Sequence, residues 1–142
     1  MNAKDFLKQI KRLDKLIENK MIEVQQWKEI AQSTTASNPS ADRVQSSSNP
    51  HRISDAIDRY IDLEQEINRY VDELVDTKKA VISVIEQLEA LEYDILHKMY
   101  VQNFTLYDVA DKYDRSYSWA TTIHGHALKN VQKILDSGQQ II

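Results

Sequence analysis

The sequence predicts an all-α protein, in which a long antiparallel helical hairpin precedes a compact helix-turn-helix module. Only two glycines and two prolines occur in 142 residues. Apolar side chains recur every three or four residues over most of the chain, which is the period of a helix with one buried face. No segment shows the strict polar and apolar alternation of a half-buried strand. A chain of this length can bury the core of one or two small helical domains.

The N-terminal segment from Asn2 to about Gln32 is predicted to form one long helix. Leu16 widens its apolar stripe, and Lys20 is the one polar position on its seam. A lone helix of this length is marginal in water, so the helix needs a partner. The seam follows a heptad spacing through Phe6, Ile10, Leu13, Ile17, Val24, Trp27 and Ala31.

Residues 33–52 contain both prolines and are rich in Ser, Thr and Asn, so they predict a flexible connector. A second long helix is expected from about Ile53 to Leu88, which makes residues 1–88 one hairpin with a connector inside it. Glu64 and Lys78 interrupt the seam of this helix. The other seam positions are Ile53, Ile57, Tyr60, Ile67, Val71, Leu74, Val81, Ile85 and Leu88.

Charge and leftover apolar surface predict how these helices associate. Residues 1–52 carry a net charge of +3 and residues 53–102 a net charge of −7, which favours antiparallel pairing. Each exposed ion pair contributes only about 0–1 kcal/mol, whereas each buried large apolar side chain contributes roughly 1.5–3 kcal/mol. A residual apolar stripe is expected to remain uncovered and predicts a homodimer through the hairpin. Its members are Leu7, Leu16, Leu63, Tyr70 and Val75.

The next predicted domain, residues 89–136, contains two short helices joined by a tight turn. Thr105 and Asp108 have the spacing of a capping box, and Phe104 with Val109 that of a hydrophobic staple. The first of these helices buries Leu106, Val109, Ala110 and Tyr113.

Ser116 is the expected N-cap of the second helix, after a turn at Asp114 and Arg115. Its buried stripe is Ala120, Ile123, Ala127 and Val131. Residues 137–142 are expected to form a flexible tail.

The exposed face of this second helix is the predicted site for duplex DNA. From Arg115 to Leu135 the sequence has no Asp or Glu, so the surface can approach phosphates without repulsion. The first residues of such a helix reach base edges, and Ser and Thr give permissive readout there. The predicted DNA-binding residues are Arg115, Ser116, Tyr117, Ser118, Thr121, Thr122, Gly125, His126, Lys129 and Lys133.

Residues 91–135 resemble region 4 of bacterial sigma factors, and the whole chain resembles phage late-gene transcriptional regulators of the RinA, ArpU and LtrC type. The matching positions include an HGxAL segment at 124–128. The resemblance implies an activator that binds promoter DNA in the cytoplasm of a bacterial host and contacts the host RNA polymerase. The matching residues are Ile95, Leu96, Tyr100, Leu106, Val109, Ala110, Ser116, Ala127 and Leu128.

Two positions depart from the sigma pattern. Asp114 stands where a turn glycine is usual, and Arg115 stands where an apolar residue usually packs. Asp tolerates the left-handed backbone conformation better than most residues, so the turn remains possible.

Other classes of function find little support in the sequence. The chain has no cysteine, no glycine-rich phosphate loop and no catalytic signature, so neither an enzyme nor a cofactor is expected. His124 and His126 point about 200° apart on a helix and cannot share a metal ion. His124 is expected at the core margin and Trp119 at the core edge. No secretory signal or membrane span is predicted. The alternative hypothesis is an interaction protein whose sigma-like module binds a protein partner instead of DNA.

Overall fold

The computed structural model describes residues 1–35 and 49–138, and all regular secondary structure in these two ranges is helical. The all-α prediction is therefore confirmed for this part of the chain. None of the described helices is both long and apolar enough to cross a bilayer. The elements are α1 (Ala3–Thr35), α2 (Asn49–Ile85), α3 (Ala90–Leu96), a π-helical turn (His97–Val101), α4 (Leu106–Lys112) and α5 (Tyr117–Asp136).

Both long helices extend into the segment predicted as a connector. α1 ends at Thr35, and α2 begins at Asn49, four residues before the predicted start. Pro50 fits the first turn of α2 because the nitrogens of that turn have no partner within the helix. The polar residues at the end of α1 lower helix propensity by only tenths of a kcal/mol each, so they do not stop it. The rest of the predicted connector, residues 36–48, and residues 139–142 of the predicted tail lie outside the described residues.

The chain divides into two compact units, which differ from the predicted domains. Unit 1 is Met1–Asp14 together with Glu73–Ile142, and unit 2 is Lys15–Asp72. The predicted boundary at residue 88 separates elements that share one core in unit 1. In that core, apolar residues of α1 and α2 belong to the same buried cluster as those of α3, α4 and α5. Its fully buried members include Leu7, Val81, Ile85, Ile95, Leu96, Val109, Ala120, Ala127 and Val131.

Unit 2 has a much smaller core. Among its described residues, the buried apolar side chains are Val24, Ala31, Ala56 and Leu63. Two ion pairs join α1 to α2 in this unit: Lys20 to Glu66 at 3.2 Å, and Lys28 to Glu64 at 3.3 Å.

The residual stripe predicted for self-association is wrong in part. Leu7 and Leu63 are fully buried within the chain itself, whereas Val75 is 45% exposed. The predicted seam of α2 also differs, since Val71 is 39% exposed while Ala56, which lies off that seam, is buried. The heptad spacing of α2 fits two adjacent rows of side chains, and periodicity alone does not choose between them.

A π-helical turn connects α3 to the module that carries the predicted DNA-binding face. The Gln102 nitrogen donates to the carbonyl of His97, five residues earlier, at 3.0 Å, which is the hydrogen bond typical of a π-helix. Asn103 follows with a φ of 67°, a left-handed conformation that Asn tolerates. Met99 and Tyr100 of the wide turn are buried in the core of unit 1.

Candidate nucleic-acid interface

The turn between α4 and α5 orients the predicted DNA-binding face. Asp114 has a φ of 55°. Its nitrogen donates to the Asp111 carbonyl at 3.1 Å, and the Arg115 nitrogen donates to the Ala110 carbonyl at 2.9 Å. This pair of bonds around a left-handed residue is the Schellman ending of a helix. Asp114 therefore adopts the left-handed conformation that glycine usually supplies at the end of a helix.

The N-termini of α4 and α5, the two helices that this turn joins, are capped as predicted. The Asp108 nitrogen donates to the Thr105 hydroxyl at 3.1 Å, and the Thr105 nitrogen donates to the Asp108 carboxylate at 2.9 Å. At the start of α5, the Trp119 nitrogen donates to the Ser116 hydroxyl at 3.0 Å. Both predicted caps are confirmed, so the entry points of α4 and α5 are determined locally by the sequence.

The buried stripe of α5 anchors the helix against the core of unit 1. Ala120, Ala127 and Val131 are fully buried, and Ile123 packs against them at the margin of the core. The Asn130 amide also donates to the Glu92 carboxylate at 2.8 Å. The Ala3 backbone nitrogen donates to the Gln132 side chain at 2.7 Å. These contacts hold the C-terminal half of α5 from two sides.

The predicted DNA-binding residues all lie on the solvent side of α5 or at its start. Gly125 is partly buried, and the others are exposed. The arrangement therefore presents a continuous face along one helix and into the preceding turn. The exposed residues are Arg115, Ser116, Tyr117, Ser118, Thr121, Thr122, His126, Lys129 and Lys133.

The two threonines at the centre of this face donate their hydroxyl protons to backbone carbonyls of α5. The Thr121 hydroxyl donates to the Tyr117 carbonyl at 3.0 Å, and the Thr122 hydroxyl donates to the Ser118 carbonyl at 3.0 Å. Each threonine therefore offers to a ligand its methyl group and the free lone pairs of its oxygen. Such groups contact a thymine methyl or accept from a base amino group.

Charge is positive on this face, from the turn before α5 along the helix, and negative on α4 and at Asp114. Arg115, Lys129 and Lys133 supply the cations. Exposed carboxylates lie on α4 and in the turn, at Asp108, Asp111 and Asp114. The surface free of carboxylates thus runs from Arg115 to Leu135.

Aromatic side chains flank the start of α5. Tyr107 and Tyr117 stack with ring centroids 4.4 Å apart, although both are exposed. The Arg115 guanidinium lies over the Trp119 ring at 5.4 Å. Arg115 therefore packs against an aromatic ring by a cation–π contact. Trp119 is half-buried against the core, as predicted for a core-edge position. The sequence pattern does not single out Tyr107, because this residue lies outside the apolar stripe of α4 and its partner is on another helix.

A buried hydrogen bond connects the π-helical turn to α5. The Tyr100 hydroxyl and the His124 Nε2 lie 2.8 Å apart. Burial lowers the pKa of His124, and the charge of Lys4 lowers it further. Burial raises the pKa of Tyr100 to about 12. Both partners are therefore neutral near neutral pH. His124 lies on the buried side of α5 and His126 on the exposed side, so they do not form a shared site.

A polar network also joins α3 to the end of α4. The Tyr113 hydroxyl donates to the Asp94 carboxylate, and the Lys98 ammonium donates to the same carboxylate at 2.9 Å. Burial opposes ionisation of Asp94, but the bonds from Tyr113 and Lys98 lower its pKa below the usual value. Burial and the bond to Asp94 raise the pKa of Tyr113 to about 12. The network ties the residue at the end of α4 to α3.

Within the described residues, no group of three or more His, Cys, Asp or Glu side chains is arranged to hold a metal ion. Comparison of the chain with protein-family models, curated proteins and solved structures gives no match.

Proposed function

We propose that the protein is a transcriptional regulator of the phage late-gene type, which binds promoter DNA through the exposed face of α5. The observation that carries the proposal is the outward position of Ser118, Thr121 and Thr122 on a helix free of carboxylates from its start to Leu135. A helix with such a face fits the major groove of duplex DNA, which is about 12 Å wide.

The arrangement of α4, turn and α5 supports reading these elements as a helix-turn-helix related to sigma region 4. Both N-caps and the left-handed Asp114 are the local features that such a motif requires. In docked examples, the first residues of the second helix reach the bases. Here those residues are Tyr117, Ser118, Thr121 and Thr122. Contact with host RNA polymerase and activation of late genes rest on the family resemblance alone.

The side chains on this face favour loose selectivity. Thr121 and Thr122 use their protons within α5, so they present methyl groups and acceptors instead of the bidentate donors that read guanine. Further along the helix, Lys129 and Lys133 are exposed one turn apart, where they can contact phosphates. We therefore propose weak, permissive binding per chain, strengthened by a homodimer that presents two such faces.

The alternative is a protein-interaction module. The exposed Tyr107 and Tyr117 pair favours it, because tyrosine is enriched in protein interfaces. The carboxylates at Asp108 and Asp111 beside the face favour it too, since they repel phosphates.

Fluorescence anisotropy separates the two functions. The labelled probe is duplex DNA from upstream of the genes that neighbour the coding sequence, with a shuffled duplex of equal composition for comparison. Thr122→Glu places a carboxylate at the centre of the face and is expected to weaken specific binding by at least about tenfold. Ser83→Glu is the matched control, because it adds the same charge at an exposed position of α2.

Selective binding that Thr122→Glu removes and Ser83→Glu retains supports the DNA-binding function. Equal, weak binding of both duplexes by all three proteins supports the interaction module.

A further inference from the structure

Unit 2 has an open groove along one side of its two helices. One end of the groove is a hollow of about 530 Å³, whose walls include Met21, Val24 and Ile67. The other end is a hollow of about 410 Å³, whose walls include Ile53 and Ile57. Lys28 lines both hollows, so they lie next to each other along the groove, with the Lys28 side chain between them.

The core beside the groove is small and leaves much of the apolar surface of unit 2 exposed. Four described apolar side chains of unit 2 are buried, and two of them are alanines. Large apolar side chains beside the groove remain in contact with water instead. Met21 is 57% exposed and Ile61 42% exposed. A pair of helices needs a further layer to bury both of its apolar sides, as in a four-helix bundle.

The charges in the groove are arranged so that the groove is complementary to itself. Lys28 and Glu64 face each other across it at 3.3 Å, with side chains 39% and 46% exposed. Lys28 also lies 5.4 Å from the Tyr60 ring. A two-fold axis parallel to the helices, between the two copies and above this ion pair, would bring Lys28 of each chain against Glu64 of the other. An isologous contact of this kind needs one surface that carries both charges, and this groove does.

The groove supplies part of the surface that a dimer interface needs. Two helices packed 8–10 Å apart, each about 10 Å wide, present a face roughly 20 Å across. The groove runs along α1 from Met21 to Gln32, which is about 17 Å at the helical rise, and flanking residues lengthen it. The groove alone therefore covers roughly 340 Å², and the flanking residues must supply the remainder of the roughly 800 Å² per partner of a standard interface.

We infer that the groove of unit 2 binds the same groove of a second copy of this chain, with Lys28 and Glu64 paired between the copies. The occupant is a second copy because its surface supplies both the missing apolar layer and the matching charges. The inference concerns unit 2 and does not require that α5 bind DNA.

Sedimentation velocity of the full chain at tens of micromolar tests the inference with two charge reversals. The wild type is expected to sediment as a dimer. Lys28→Glu alone and Glu64→Lys alone are each expected to be monomers, because like charges then face each other within and between copies. An equimolar mixture of the two variants is expected to restore the dimer, since each charge then faces its opposite across the interface.

The mixture shows whether Lys28 and Glu64 act between two copies or only within one chain. Mixing leaves the repulsion inside each variant unchanged, so a restored dimer must come from contacts between the copies. Circular dichroism of each variant shows whether it remains helical. Lys15→Glu and Asp58→Lys are the control reversals. Both are exposed, and helical rotation places them away from the buried Val24 and Leu63. They are expected to sediment like the wild type. A monomeric wild type, or a mixture that remains monomeric, would overturn the inference, whatever the result of the DNA-binding experiment.

Discussion

The hydroxyl of Tyr100 and the ring nitrogen of His124 share a hydrogen bond of 2.8 Å inside unit 1. The bond joins the π-helical turn to the buried side of α5, opposite the exposed face of that helix. It therefore links the position of the candidate DNA-binding surface to the protonation of one buried histidine.

The stability of the protein is expected to fall as the pH is lowered through the titration of His124. Burial, followed by the charge of Lys4, holds the pKa of His124 below its usual value in the folded chain. The unfolded chain binds this proton at about pH 6.5, so the stabilisation is complete above that pH and is lost as the pH falls below it. Urea unfolding of wild type and His124→Gln at about pH 7 and about pH 5 measures the effect. The variant should lose less stability than the wild type between the two values; an equal loss would assign the effect to other groups.

Loss of the Ser116 cap is expected to destabilise the protein without a change in charge. Ser116→Ala removes the acceptor for the Trp119 nitrogen and should cost about 1 kcal/mol in the free energy of unfolding. Ser116→Asp keeps an acceptor at this position, so its stability should remain close to that of the wild type. Because the aspartate adds a negative charge to the proposed DNA-binding face, it should nonetheless weaken duplex binding. Equal DNA affinity of Ser116→Asp and the wild type would place Ser116 outside the interface.

Gly125→Ala is expected to raise stability and lower DNA affinity together. A Cβ at this position meets no atom within 4 Å in the folded chain. Alanine should therefore stabilise α5 by about 1 kcal/mol, the difference in helix propensity. If the α5 backbone approaches DNA at Gly125, the added methyl group hinders that approach. Thermal unfolding and anisotropy on the same samples check both effects. A stabilised variant that binds duplex DNA like the wild type would show that Gly125 is not near the ligand.

Lys129→Gln is expected to weaken binding to specific and shuffled duplexes by the same factor. A lysine that contacts phosphate contributes counterion release, so its loss should reduce the slope of log affinity against log salt by about 1. Titrations at several salt concentrations measure this slope. Lys79→Gln is the control, because Lys79 is exposed on α2, and it should leave the slope unchanged. A loss confined to the specific duplex would instead indicate that Lys129 contacts bases.

Local features of the site were predictable from the sequence because they depend on residues three or four positions apart. The capping box of Thr105 and Asp108 and the cap at Ser116 are of this kind. The left-handed Asp114 follows from its place between two helices. These short-range interactions require no knowledge of how distant elements pack.

Contacts between elements were not predictable in the same way. The stacking of Tyr107 on Tyr117 and the bond between Tyr100 and His124 join residues of different elements. The burial of Leu63 depends on which row of α2 faces α1, which its heptad spacing leaves open. Similarly, the sequence contains no local signal that α1 and α2 contribute their ends to the core of unit 1.

The most direct test of the proposed function is the effect of duplex DNA on the NMR spectrum of the labelled protein. On titration with the upstream duplex, the account predicts that the largest amide shift changes cluster at Ser118, Thr121 and Thr122, with smaller changes at Lys129 and Lys133. It predicts no comparable cluster on α2. If saturating DNA leaves the α5 amides unchanged, or shifts only residues elsewhere in the chain, the assignment of α5 as a DNA-binding helix is contradicted.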